Sequence, residues 1–155
     1  MIHDLVLFLH VIGAAVLLGT GAGIAFFMVV SNRSGDPALI AHVSRIVVIA
    51  DMLFTATAAA VQPITGYLLA RMAGWPVLEG WVAASLALYV FVGLFWLPVV
   101  AFQIRLRDMA VRARDAGLSL PPEYHRLYRV WFAFGFPAFG AVLAIIWLMI
   151  TKPVW

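Results

Sequence analysis

Twenty-six consecutive residues near the start of the chain, from Leu5 to Val30, carry no formal charge. At a rise of ~1.5 Å per residue, a helix of this length exceeds the ~30 Å thickness of the hydrocarbon core of a bilayer. The rest of the chain is similar in character, since 65% of its 155 residues are hydrophobic and 11% are charged. Soluble domains are about half apolar and a quarter charged. The sequence therefore predicts an integral membrane protein.

Three further apolar stretches follow, and polar connections separate them. We predict an all-α fold, a four-helix transmembrane bundle packed up-down-up-down, in a single membrane domain covering residues 1–155. Asp36-Pro37 is typical of the N-cap and first turn of a helix, which would continue to about Met72. Gly117 is a plausible end for the polar extension of the third helix. The predicted spans are 5–30, 46–70, 81–102 and 130–150.

Basic residues predict the orientation of the bundle. Eight of the ten lie beside the same ends of the helices, and only Arg71 and Lys152 lie at the other ends. The positive-inside rule then places both termini on the outer, periplasmic side of a bacterial inner (cytoplasmic) membrane. Because the arginines adjoin membrane spans, the positive charge indicates a lipid bilayer and not nucleic acid. Anionic headgroups or a partner subunit are the functional alternative to solvated sequence.

His10 is the anomaly in the first span. An ionisable ring in a lipid-spanning helix is unfavourable unless it faces the protein interior with a partner, and such residues are functional candidates by default. If one ring nitrogen is fixed by a hydrogen bond, the other is available to a ligand or metal. Four polar side chains are predicted at the same depth on the second and third helices: Gln62, Thr65, Ser85 and Tyr89.

Small residues lie beside His10 on a helical wheel. The face within about 60° of the ring has two missing side chains, at Gly13 and Gly21. That is room for a flat macrocycle such as haem, or equally for a neighbouring helix. Gly19 and Gly23 have the spacing that lets two membrane helices touch backbones, and we interpret them as a packing motif.

Asp51 and three prolines are the remaining unusual residues within the spans. A carboxyl group at that depth must be paired, hydrated or protonated. For Asp51 we expect an ion pair with Arg45, Arg105, Arg126 or Arg129, with a proton relay as the alternative. Pro63, Pro98 and Pro137 remove the helical donors of the Ala59, Leu94 and Ala133 carbonyls. Those carbonyls can be satisfied by Thr, water or a ligand.

Several short motifs along the chain resemble a known family. Together they resemble a bacterial family of small four-helix integral membrane proteins of the DUF2269 type. The motifs are Phe8–Gly13, Gly19–Gly21, Arg33–Pro37, Gln62-Pro63, Trp96–Pro98 and Gln103–Arg105. The resemblance covers nearly the whole chain and implies a fold and a membrane location, but no activity.

The chain more distantly resembles HemJ-type protoporphyrinogen oxidases and the membrane domains of CopD-like copper proteins. The HemJ-type enzymes carry a histidine in the first helix, matched by His10, and a closing Lys-Pro pair, matched by Lys152-Pro153. Those enzymes are associated with b-type haem. Ser31 stands where their first helix has a second histidine, and Phe91 to Val99 of the third helix contains none. The resemblance therefore implies one haem ligand without an obvious second.

Three functional hypotheses follow. The first is a haem-associated redox protein in which His10 ligates the iron or accepts a proton. In it, Gln62 and Tyr89 orient His10, and Lys152 meets a haem propionate. The second is a non-catalytic subunit or assembly factor that binds other membrane proteins or further copies of itself. The third is CopD-like metal transport. The sequence contains no motif that decides whether the protein is an enzyme.

Overall fold

The computed structural model describes residues 1–153 and confirms the predicted all-α fold, with no strand among those residues. The helices are α1 (Ile2–Ser34), α2 (Pro37–Ala50), a π-helical segment (Asp51–Thr55), α3 (Ala56–Met72), α4 (Gly80–Ala116) and α5 (Pro122–Thr151). From α2 to α3 the chain is one continuous helical unit, so that four units are long and apolar enough to cross a membrane.

Local sequence explains where the helices begin and end. Gly35 ends α1 in the left-handed conformation, with φ +69°, which glycine adopts without strain. The Asp36 carboxylate then accepts a hydrogen bond from the Ala38 N–H at 2.9 Å, and Pro37 occupies the first turn of α2. Gly117, also left-handed, ends α4. The predicted start of the second helix and end of the third are confirmed.

Consecutive membrane helices are neighbours in the bundle. The most extensive packing is between α4 and α5. On the other side, α1 packs against α2, the π-helical segment and α3, and α2 packs against α4. Contact between α1 and α5 is slight. This is the arrangement expected of an up-down-up-down bundle with short connections.

Large buried side chains are concentrated at the end of the bundle where α1 turns into α2. The largest fully buried ones are Tyr124, Met28, Ile40, Leu106, Gln103 and Ser44. In the other half, the buried side chains are small or polar, and among them are Ala58, Gln62, Thr65 and Ser85. Apolar side chains such as Leu94 and Phe136 point outward, as a lipid environment favours.

Candidate functional site

His10 of α1 is buried against α3. Its side chain is 9% exposed, and Nδ1 lies 2.8 Å from the hydroxyl oxygen of Thr65. Thr65 is itself buried, and it was one of the four polar neighbours predicted from depth alone. A hydrogen bond between two side chains 55 residues apart therefore joins the first and second membrane units.

The surroundings of Thr65 favour one tautomer of His10. A threonine hydroxyl has a single proton to donate. The Thr65 oxygen lies 3.0 Å from the Val61 carbonyl and 3.1 Å from the Gln62 carbonyl, both of which only accept. The hydroxyl proton is directed to those carbonyls, so that the hydroxyl accepts from His10 Nδ1–H. In the neutral ring, Nε2 then carries the free lone pair, and it has no hydrogen-bond partner among residues 1–153.

Two glycines let α1 and α3 approach closely around the ring. A Cβ at Gly66 would lie 3.2 Å from His10 Cε1, and one at Gly13 would lie 2.6 Å from Gln62 Oε1. The space beside His10 at Gly13 is therefore filled by the Gln62 side chain. Gly21, further along the same face, has nothing within 4 Å of a Cβ. The open face predicted from the helical wheel is thus closed beside the His10 ring and open about three turns away, at Gly21.

Gln62 lies beside His10 without a side-chain hydrogen bond to it. Its side chain is 7% exposed, and Oε1 is enclosed with no hydrogen-bond partner. Gly13, against which Oε1 packs, is one helical turn from His10 on α1. A buried acceptor without a donor is unfavourable. A hydrogen-bond donor that reached Gln62 Oε1 would therefore be stabilised there.

Tyr89 of α4 hydrogen-bonds to a backbone carbonyl and not to His10, which it was predicted to orient. Its hydroxyl donates to the backbone carbonyl of Ala59, in α3. That carbonyl is the one predicted to lack its helical donor, because Pro63, four residues later, has no N–H. The hydrogen-bond partner of His10 is therefore Thr65, while Tyr89 satisfies the kink in α3.

We expect Tyr89→Phe to lower the free energy of unfolding by about 0.5–1.5 kcal/mol, in the range of hydrogen bonds between membrane helices. In a Pro63→Ala background, a restored N–H can reach the Ala59 carbonyl, and the same substitution should have a smaller effect. A double-mutant cycle of unfolding free energies measures this coupling. Tyr67→Phe is the control, because Tyr67 is exposed on α3. If Tyr89→Phe lowered the unfolding free energy equally in the two backgrounds, the hydrogen bond from Tyr89 to the Ala59 carbonyl would not be the source of the effect.

Lys152 and Ser85 are not joined to His10 by a hydrogen bond among the described residues. Lys152 is exposed at the end of α5 with φ +42°, and no ion pair of its side chain is found in residues 1–153. Ser85 is buried, and its hydroxyl donates to the Trp81 carbonyl at 2.8 Å. The structure thus brings together His10, Thr65 and Gln62, and a role for Lys152 stays a prediction.

Asp51 forms a second buried polar cluster, and the ion pair expected for it is wrong. The residue is 2% exposed, and its Oδ1 accepts a hydrogen bond from the Trp96 indole at 3.2 Å. Within residues 1–153 no arginine forms an ion pair with this carboxyl group, and Oδ2 is enclosed without a partner. The Thr55 hydroxyl, one turn further along the π-helical segment, is likewise enclosed and unpaired.

Of the other three histidines, His3 is exposed in the first turn of α1, with Nδ1 3.4 Å from Asp4 Oδ1. His42 and His125 are exposed at the basic end of the bundle, and the His125 ring packs edge-on against Tyr124 with centroids 5.5 Å apart. Among the described residues, no three His, Asp or Glu side chains are grouped so that they could hold a metal ion. His10 therefore offers a single ligand atom, Nε2.

Comparison with known proteins agrees with the fold. A family model described as a predicted integral membrane protein (DUF2269) matches residues 4–153. No curated protein and no solved structure matches the chain significantly. With four helices able to cross a membrane and a match over nearly its whole length, the chain belongs to the DUF2269 family of predicted integral membrane proteins.

Proposed function

We propose that this integral membrane protein is a haem-associated redox protein, in which His10 Nε2 would bind the iron. One observation carries the proposal: His10 Nδ1 lies 2.8 Å from the Thr65 hydroxyl, and the tautomer that this contact favours leaves the Nε2 lone pair of a buried imidazole without a partner among residues 1–153. A hydrogen bond from the other ring nitrogen orients metal-ligating histidines and raises their basicity. A bound haem would supply one-electron transfer within the membrane.

The donor set fits one axial bond. Imidazole is a common ligand of haem iron, and the neutral tautomer fixed by Thr65 is the one that can bind through Nε2. Gln62 packs against Gly13, one helical turn from His10 on α1, and fills the space there. His10 would thus bind and orient the group, Thr65 would hold the Nδ1 proton, and Gln62 would support the packing.

The distribution of basic residues supports a location and an orientation for the bundle. Because α1 turns into α2 at the end where α4 turns into α5, the eight basic residues beside these connections lie at one end of the bundle. The positive-inside rule supports a cytoplasmic position for that end, in a bacterial inner membrane. His10 would then lie in the periplasmic half.

The test is an absorption spectrum of detergent-purified protein, oxidised and then reduced with dithionite. Wild type, reconstituted with haem where necessary, should show a Soret band that shifts on reduction, and His10→Ala should lose it. His42→Ala is the matched control, because His42 is exposed at the opposite end of the bundle. Thr65→Val should weaken haem binding by about 10- to 100-fold, and Thr65→Ser should retain it.

A second candidate, a subunit of a larger membrane complex, has its own supporting observation. A Cβ at Gly19 or at Gly23 would have nothing within 4 Å, so the predicted packing motif has no partner helix among residues 1–153. Close approach at such residues is a common mode of helix association in membranes. A flat spectrum in folded wild type, together with a second polypeptide in stoichiometric amount, would favour this function and overturn the haem proposal.

A further inference from the structure

A cleft of about 350 Å³ lies between α2 and α4 at the basic end of the bundle. Three guanidinium groups and one imidazole face a single carboxylate there. Its lining residues are Ala41, His42, Arg45, Arg107, Asp108, Val111 and Arg114. Residues from two different membrane helices therefore converge on one positively charged recess, which neither the proposed function nor the His10 site explains.

Ion pairs within the described residues leave this recess positive. Arg107 donates to Asp108 Oδ1 from Nε at 2.9 Å and from Nη2 at 2.7 Å. Arg114 pairs with Asp115, whose carboxylate is not part of the lining. Arg45 has no carboxylate partner within residues 1–153. Asp108 thus holds the Arg107 guanidinium in place through one oxygen, and the charge of Arg45 is left uncompensated.

The depth of two of the arginines suits a phosphate at the membrane surface. Arg45 directly precedes the predicted span that begins at Ile46, and Arg107 lies five residues beyond Phe102, at the end of another span. Five residues of helix correspond to ~7.5 Å, and the polar headgroup layer on each side of a bilayer is roughly 5–8 Å thick. Both guanidinium groups can therefore reach the level of lipid phosphates.

We propose that this cleft binds a phosphate group, with Arg45 and Arg107 as its contacts. Guanidinium groups bind phosphate oxygens through paired N–H donors, and the Asp108 ion pair positions one of them in advance. The phosphate belongs either to the headgroup of an anionic phospholipid or to a small soluble molecule. A neighbouring cleft between α4 and α5 is less suited, because Glu123 and Asp108 both face its arginines.

Lipid retention by the full chain tests the phospholipid source. Purified protein is incubated in micelles with equal amounts of phosphatidylglycerol and phosphatidylcholine, and bound lipid is counted by native mass spectrometry. Wild type should retain phosphatidylglycerol preferentially. The Arg45→Gln/Arg107→Gln variant should lose that preference by roughly 30-fold, since each basic residue near anionic lipid contributes about fivefold. Arg71→Gln, exposed at the opposite end, is the control and should match wild type.

Inorganic phosphate tests the soluble source in the same variants. If phosphate protects wild type but not the double variant against thermal unfolding, the cleft binds phosphate. If wild type also shows no selective lipid retention, the cleft is assigned to a soluble phosphate compound. Arg107→Lys separates the paired donors from charge alone, and it should lose most of the preference in either arm. An equal loss in Arg71→Gln, or no phosphate-dependent effect in either arm, would overturn the proposal. As a control for folding, all variants should elute from size-exclusion chromatography at the volume of wild type.

Discussion

Substitution of Tyr124 by alanine is expected to lower the free energy of unfolding by about 3–5 kcal/mol, the range for truncating a buried aromatic side chain. Tyr124 is completely buried, and it packs in the core cluster that includes Ile40, Leu106 and Trp131. These residues come from three different helices, α2, α4 and α5. The loss should therefore weaken the packing of the whole basic end of the bundle.

Tyr124→Phe is expected to have nearly no effect, within about 0.5 kcal/mol, and this contrast makes the prediction specific. The Tyr124 hydroxyl is enclosed and has no hydrogen-bond partner in residues 1–153. Removing an unsatisfied polar group of the same shape is close to neutral or stabilising, because its desolvation is no longer uncompensated.

The measurement is reversible unfolding in mixed detergent micelles, followed by far-ultraviolet circular dichroism. Phe136→Ala on the same helix is the matched control, because Phe136 is 65% exposed and should change the unfolding free energy little. If Tyr124→Phe lowered it by more than about 1 kcal/mol, the hydroxyl would have a partner such as a buried water. If Tyr124→Ala and Phe136→Ala lowered the unfolding free energy equally, the assignment of Tyr124 to the buried core would be wrong.

The fold could be predicted because a bilayer leaves few choices. Backbone groups in lipid must be satisfied internally, so long uncharged stretches become helices. Their ends are marked by residues with a definite local preference, such as Asp36 and Pro37 at one helix start and Gly117 at a helix end. The predicted helix from Pro37 to about Met72 is confirmed in extent, although its π-helical segment was not expected.

The surroundings of His10 were predicted only in part. Depth along the helices placed Thr65 and Gln62 near the ring, and the structure has Thr65 as its hydrogen-bond partner. Rotation of each helix about its axis decides which of several side chains at one depth meets the ring, and this rotation depends on packing against all neighbours. The hydroxyl of Tyr89 was expected at His10, but the Ala59 carbonyl left unpaired by Pro63 binds it.

The Asp51 cluster could not be predicted from charge alone. The sequence offers four arginines near that depth, and the long side chain of an arginine also reaches water or headgroups, where its solvation is better. The indole of Trp96 supplies a donor within the bundle at lower desolvation cost. The signal that could have indicated it is a tryptophan inside the third predicted span, six residues or ~9 Å from its end, and so away from the interfaces where tryptophan is favoured.

Asp51→Asn is the second substitution with a large expected effect, and we expect it to raise the free energy of unfolding by about 1–2 kcal/mol. The amide can still accept from the Trp96 indole through the same oxygen. Its new N–H₂ group takes the place of the enclosed Oδ2, and the enclosed Thr55 hydroxyl on the same π-helical segment can accept from it. The substitution thus removes an acidic group without an ion-pair partner and satisfies a second polar atom.

Trp96→Phe should have the opposite sign, lowering the unfolding free energy by about 1–3 kcal/mol, because the buried Oδ1 of Asp51 then loses its indole donor. In the Asp51→Asn background the same substitution should lower it less, since an unpaired amide is less unfavourable than an unpaired acid. A cycle of the two single variants and the double variant, unfolded under the conditions used for Tyr124, measures this coupling.

The sign of the Asp51→Asn effect decides how the acidic group is to be understood. A gain in stability would mean that packing favours an amide there, so the carboxyl group would be retained for chemistry, with proton transfer as the candidate. A π-helical segment at the same position agrees with that interpretation, since such segments are frequent at functional sites. A loss of more than about 2 kcal/mol would instead show that the enclosed Oδ2 is compensated by a bound water or cation, and Asp51 would then be a structural residue.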